Sequence, residues 1–239
     1  MSDRPLLLVV EHEPQCPAAH FGTWLVEAGA ALEVCRPWAG DELPDPTGYA
    51  GLLVLGGSMG AHDDDTVPWL APLKDRLREA VAAGVPTLGI CLGHQLLAAA
   101  LGGESRPNPA GQQVGLFGVG WTDAAADDEL VGPLAGPRRG VQWNNDVVTR
   151  LPDDAVPLAV LPTGELQAAR FAHRLWGVQH HPEIDREVLT SWAAGDRDDH
   201  LEKGIDQEAV LAEVAEARAE LDRTWRPLAV RLVDLARRR

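Results

Sequence analysis

Short β-branched or leucine-rich runs alternate with longer amphipathic stretches from Pro5 to Gly103. Pro5–Val10, Ala31–Arg36, Gly51–Leu55 and Val85–Ile90 predict strands. Ala19–Ala28 and Trp69–Ala83 predict helices, closed by Gly29 and Gly84. In the second helix Leu70, Leu73, Leu77 and Val81 fall at helical spacing. Val85–Ile90 is apolar without alternation, which predicts burial on both faces. Strand–helix alternation with short connections predicts a parallel sheet covered by helices, an α/β fold.

The rhythm changes between Gln113 and His181. Gln113–Trp121, Val141–Thr149, Val156–Leu161, Leu166–Phe171 and Trp176–His180 read as strands separated by Pro, Gly and Asp turns. They predict an antiparallel extension of the sheet rather than further βαβ units. The tail reads as helices over Glu183–Ala194, Asp206–Asp222 and Thr224–Arg238, with an acidic loop between the first two. Leu211, Val214, Ala215, Ala217 and Leu221 form an apolar stripe too short for a coiled coil. The expected organisation is a domain over residues 1–195 and a helical extension over 196–239 packed on it.

Acidic residues outnumber basic ones by 36 to 21, a formal charge of −15, so the long-range field repels nucleic acid and anionic membrane surfaces. No apolar run reaches the length that spans a bilayer. The opening MSDRPLLLVVEHEP has no basic leader or small-residue cleavage site, and a cytoplasmic location is expected. Cys16, Cys35 and Cys91 are an odd, widely spaced set that fits neither a zinc site nor a disulfide framework.

Three segments carry candidate chemistry. In V-P-T-L-G-I-C-L-G-H-Q, a buried strand ends at Cys91 and an Ala/Leu-rich helix begins at once. A side chain at that junction stands clear of the sheet, and the helix's free N–H groups favour negative charge on its sulfur. Gly89 and Gly93 relieve crowding there, as glycines do in nucleophile elbows. Alone, Cys91 also fits a small buried hydrophobe. The second segment, W-G-V-Q-H-H-P-E, sets His181 two residues before Glu183. An extended chain puts both on one face, where a carboxylate orients an imidazole partner for a thiolate. His180 faces the other way and reads as a packed neighbour. The third, L-G-G-S-M-G from Leu55 to Gly60, offers unhindered N–H groups for a substrate oxygen at the end of another strand. Its spacing fits neither a dinucleotide loop nor a P-loop. Asp63–Asp65 reads as a solvated run, His94 as a packing residue, and the eight tryptophans as scattered packing and rim residues.

Together these segments resemble the class I glutamine amidotransferase family over roughly Leu6–Ala194, most nearly the glutaminase domain of GMP synthase. The resemblance implies an open, mostly parallel, flavodoxin-like sheet with helices on both faces, and no metal or other cofactor. It implies that Cys91 attacks the glutamine γ-amide, that His181 carries the proton to ammonia, and that Glu183 orients His181. It further implies an oxyanion hole from the Gly57 and Leu92 N–H groups. Met59, Gln95, Asn144, Asn145 and Asp146 would line the substrate pocket, the last three mainly through their backbone. Relatives often carry W-H-G-D where this chain has Trp143, Asn144, Asn145 and Asp146; Asn145 would keep a left-handed turn that glycine otherwise supplies.

Three functions compete: a glutaminase passing ammonia to a separate synthase or to solvent, a γ-glutamyl peptidase using the same residues, and a non-catalytic glutamyl-binding relative. An oligomer is compatible with each. The intact Cys91, His181 and Glu183 set weighs against the third.

Overall fold

Alternate residues of the first strands bury on opposite sides of one sheet. Leu7 and Val9 enter one apolar cluster and Leu8 and Val10 another; Leu53 is split in the same way from Leu52 and Val54. Strands with no polar face need helices on both sides, and the computed structural model, which describes residues 4–239, has them. Residues 1–3 of the opening stretch, on which the expectation of no leader partly rests, lie outside the described residues.

In chain order the strands are β1 (Leu6–Val10), β2 (Ala31–Cys35), β3 (Gly51–Val54), β4 (Thr87–Ile90), β5 (Glu104–Pro107), β6 (Gln113–Gly118), β7 (Arg139–Asn144), β8 (Asp146–Arg150), β9 (Val156–Val160), β10 (Leu166–Ala172) and β11 (Leu175–Val178). The helices are α1 (Ala19–Glu27), α2 (Leu70–Ala82), α3 (Leu92–Ala100), α4 (Asp123–Ala126), α5 (Arg186–Gly195), α6 (Arg197–Glu202) and α7 (Gln207–Arg237). The main sheet has the order β2-β1-β3-β4-β11-β10-β9. Side chains of α1 and α7 fill the cluster on one face, and those of α2 and α3 the cluster on the other. This is the flavodoxin-like α/β architecture. Among the described residues no helix is long and apolar enough to cross a membrane.

The antiparallel extension is present: β10 pairs antiparallel with both β9 and β11, and β11 joins it to the main sheet by pairing with β4 in parallel. A tight turn after β10 reverses the chain, so β11 regains the direction of β4. The ladders β5–β8 and β6–β7 are separate two-stranded sheets, and the run expected as one strand over Val141–Thr149 changes partner at Asn145. The tail expected as Asp206–Asp222 and Thr224–Arg238 is a single helix, α7, that runs through Pro227. Burial of Leu221, Trp225, Leu228 and Leu232 along one stripe outweighs the hydrogen bond that proline removes. The acidic loop before it contains α6.

Helix α3 lies hard against the sheet. A Cβ on Gly89 would sit 2.5 Å from the Gly93 carbonyl, and one on its register neighbour Gly177 would sit 2.5 Å from His94 Nδ1. A Cβ on Gly93 would strike the Val54 carbonyl. These contacts fix where α3 begins. Gly89→Ala should therefore destabilise the fold by about 1–3 kcal/mol, as overpacking does. Thermal melting should show a fall of about 2–4 °C per kcal/mol; an unchanged midpoint would mean the helix has room to spare.

Candidate active site

β4 ends at Ile90 and α3 starts at Leu92, so Cys91 alone makes the turn between them. Its backbone sits at φ 51°, ψ −106°, a region that non-glycine residues avoid. The turn is held from both sides: Cys91 N–H donates to the Val178 carbonyl at 2.9 Å, and Gln95 N–H donates to the Cys91 carbonyl at 3.1 Å. β3 and β11 flank β4 and run parallel to it. The Leu55–Gly60 turn, Cys91 and the Gln179–Glu183 segment therefore open on one edge of the sheet, where α/β folds bind ligands.

His181 Nδ1 lies 2.7 Å from Glu183 Oε1, and both side chains are almost wholly buried. Burial by itself disfavours the imidazolium, but the charges of Glu183 and Cys91 outweigh it and hold His181 above the ordinary imidazole range. Nδ1–H therefore donates to Glu183, which leaves Nε2 for the thiol side, where it has no other partner. The edge of the Trp192 ring covers His181, with centroids 4.7 Å apart. His180 has the opposite fate. It packs 4.2 Å from Trp225, and burial followed by repulsion from His181 lowers its pKa to about 3. His94, buried against Phe171, is likewise driven down to about 3 by burial. Of these three histidines, only His181 lines the crevice.

Gly57 and Leu92 have backbone N–H groups with no protein acceptor among the described residues. Gly57 does not have a left-handed backbone, but a side chain there would crowd its neighbours. A Cβ there would lie 2.6 Å from Met59 Sδ, 2.9 Å from Leu92 Cδ2 and 3.0 Å from His12 Cβ. The rest of the turn is braced by carboxylates. Glu13 accepts from Ser58 N–H at 2.9 Å and Ser58 Oγ at 2.7 Å, and Asp63 accepts from Gly60 N–H at 2.7 Å. Asp63, read as part of a solvated run, is thus a turn brace, and its neighbour Asp64 pairs with the buried Lys74 at 2.7 Å.

A crevice of about 380 Å³ opens over Cys91 and His181, within the size range of small-molecule sites. Gly57, Met59, Gln95, Asn144, Asn145 and Asp146 line it, while Leu92 and Glu183 are not among its lining residues. Gln95 is more constrained than a free substrate contact, since its amide nitrogen donates to the Asp146 carbonyl at 2.9 Å and approaches Gln179 at 3.3 Å. Asn145 does not adopt a left-handed backbone, so no glycine is needed there. Its carbonyl instead accepts from Asn108 N–H at 2.8 Å. Burial and the nearby Asp63 raise the Asp146 carboxyl pKa.

Sequence reasoning missed Glu13, Cys16, Gln179, Trp192 and Asp196. Gln179 donates to Cys91 Sγ at 3.6 Å, and Trp143 on the rim donates to Asp196 at 2.7 Å. Glu13 and Cys16 follow β1, which lies beside β3, and that adjacency is visible only once the strand order is known. The lining carboxylates are Glu13, Asp146 and Asp196, and the lining contains no lysine or arginine. Among the described residues no cluster of three or more His, Cys, Asp or Glu is placed to hold a metal ion.

The family model described as "Glutamine amidotransferase class-I" matches residues 23–190. The chain is 32% identical to "GMP synthase [glutamine-hydrolyzing]" of Aeropyrum pernix over 80% of its own length and 36% of that protein. It thus spans about a third of that relative. It is 28% identical to "Gamma-glutamyl peptidase 5" of Arabidopsis thaliana, over 59% of this chain and 56% of that one. The crystal structure of a glutamine amidotransferase from Thermotoga maritima shares the fold, with a TM-score of 0.87 at 24% identity over 97% of this chain and 99% of the other. The chain belongs to the class I glutamine amidotransferase family.

Proposed function

We propose that this protein hydrolyses the γ-amide of glutamine through a thioester on Cys91. The observation that carries the reading is the thiol on its strained turn, facing an imidazole held charged by a buried carboxylate. In this mechanism the Cys91 sulfur attacks the amide carbon, and the oxygen takes up negative charge between the Gly57 and Leu92 N–H groups. His181 gives its Nε2 proton to the departing nitrogen, so the C–N bond breaks as the thioester forms and ammonia leaves. His181, now neutral, takes a proton from water, which attacks the thioester and releases glutamate and the thiol. Glu183 keeps the ring oriented and supports its charge. The Asn144–Asp146 backbone and Gln95 hold the amino-acid end of the substrate. Ammonia passes to a separate synthase or to solvent, a reading supported by the kinship to a GMP synthase of which this chain matches 36%.

A second reading keeps the chemistry and enlarges the substrate to a γ-glutamyl amide of a larger amine. The crevice is lined by Trp143, Trp192 and Asp196 as well as by the residues assigned to glutamine, which supports a larger leaving group. Its carboxylate lining without lysine or arginine favours a neutral or positively charged amine over an anionic one.

Cys91→Ala should lower kcat/KM by about 10⁴-fold or more while the melting midpoint holds, since the residue acts on the reacting carbon. Persistent turnover in that variant, followed by ammonia and glutamate release, would refute the nucleophile assignment. Glu183→Gln should cost less, about 10²-fold, because an orienting group is lost rather than the nucleophile. Removing this carboxylate withdraws support from the imidazolium, so the alkaline limb of the kcat/KM–pH profile should move to lower pH. An unmoved limb would show that Glu183 does not set the charge on His181. Assays of glutamine beside γ-glutamyl dipeptides with neutral, anionic and cationic leaving amines separate the two readings. Preference for glutamine supports the first; preference for a neutral or cationic conjugate supports the second.

A further inference from the structure

We propose that Glu13 is a positioning residue for the oxyanion turn, holding the Gly57 N–H aimed at the crevice before any substrate or partner arrives. The inference rests on the reading of Cys91 as the acyl-accepting nucleophile. It adds a residue on a third loop, and it implies a hole that stands assembled in the isolated chain.

A turn that begins Gly56–Gly57 has little intrinsic reason to keep one peptide orientation, because glycine populates most of the backbone map. An oxyanion donor is effective only when it is fixed in place before charge develops. Glu13 supplies the fixation. Its Oε1 accepts the Ser58 N–H at 2.9 Å and its Oε2 accepts the Ser58 hydroxyl at 2.7 Å. This two-point grip pins the peptide plane between Gly57 and Ser58, and with it one of the two backbone rotations at Gly57. The space beside the Gly57 Cα, where a side chain would stand, is filled by Met59, Leu92 and His12. At the far end of the turn Asp63 accepts the Gly60 N–H at 2.7 Å. The turn is therefore anchored on both sides of Met59 by carboxylates from different segments.

Glu13 lines the crevice, so direct contact with substrate is the competing role. Three of its roughly four lone-pair sites are already committed: besides the two bonds from Ser58, Oε1 takes the Cys16 thiol at 3.2 Å. Burial and the adjacent Glu13 charge push the Cys16 thiol up, which keeps its proton available for that bond. Cys16 thus serves as a donor to the clamp, although it shares the crevice with Cys91.

The test compares wild type with Glu13→Ala, Glu13→Gln and Ser58→Ala by three measurements. The first is steady-state turnover of glutamine and of a γ-glutamyl dipeptide, the second is Cys91 alkylation by iodoacetamide, and the third is amide hydrogen exchange across residues 56–60. Glu13→Ala should lower kcat by about 10–10²-fold with KM within about twofold, as expected when an oxyanion donor loses its aim. Alkylation forms no oxyanion, so its rate should stay within about twofold of wild type. Exchange at 56–60 should quicken. Glu13→Gln keeps an acceptor for Ser58 N–H and should fall between wild type and alanine, and Ser58→Ala should lose less than Glu13→Ala. The proposal is overturned by unchanged kcat and exchange, by a raised KM at constant kcat, or by alkylation that falls in step with turnover. Should wild type cleave neither substrate, the hydrolase reading fails, and exchange at 56–60 alone then decides whether the clamp exists.

Discussion

One residue, Cys91, takes the chain from sheet to helix through a backbone conformation that side chains other than glycine avoid, and its surroundings hold it there. A conformation of this kind costs on the order of 1–3 kcal/mol. The burial of α3 on the sheet offsets that cost, since Leu92, Leu96 and Leu97 are fully buried and each contributes about 1.5–3 kcal/mol. Burial alone would let the helix slide. The close contacts at Gly89, Gly93 and Gly177 prevent that, and the bond to the Val178 carbonyl ties the turn to β11. The strand that stabilises the thiol's backbone is thus the strand that leads to His181.

Environment rather than residue type separates the functional groups from their neighbours. His180 and His181 are adjacent and both buried, yet one is driven neutral by burial against Trp225 and the other is kept charged by Glu183. Pairs of titratable groups pushed apart in this way are what acid–base chemistry at neutral pH requires. Cys16 and Cys91 line one crevice, and their settings differ just as sharply. Cys16 spends its proton on Glu13, whereas Cys91 sits at the N-terminal end of α3 beside an imidazolium. A count of histidines and cysteines would have treated each pair as equivalent.

The acidic balance of the chain also takes on local meaning. Glu13 and Asp63 spend their charge on backbone N–H groups of one turn, and Glu183 spends its own on one imidazole. Asp146 and Asp196 remain on the crevice wall, whose lining among the described residues includes His181 but no lysine or arginine.

Much of this was legible in the order of residues. Strand and helix positions up to Gly103 follow from hydrophobic periodicity, because burial on two faces or along one stripe leaves a direct trace in the chain. Cys91 at the strand–helix junction and the His181–Glu183 spacing are local patterns, so they too could be read. The uninterrupted Val141–Thr149 strand, the broken tail helix and the left-handed Asn145 were not upheld. Each depends on which segment packs against which. The strand break is set by a change of partner, and the intact helix by burial of its stripe across Pro227. Glu13, Gln179 and Asp196 were likewise invisible, since their roles arise where distant segments meet. Short-range sterics and periodicity write themselves into sequence, whereas strand order and contacts between loops far apart in the chain are decided only when the sheet closes.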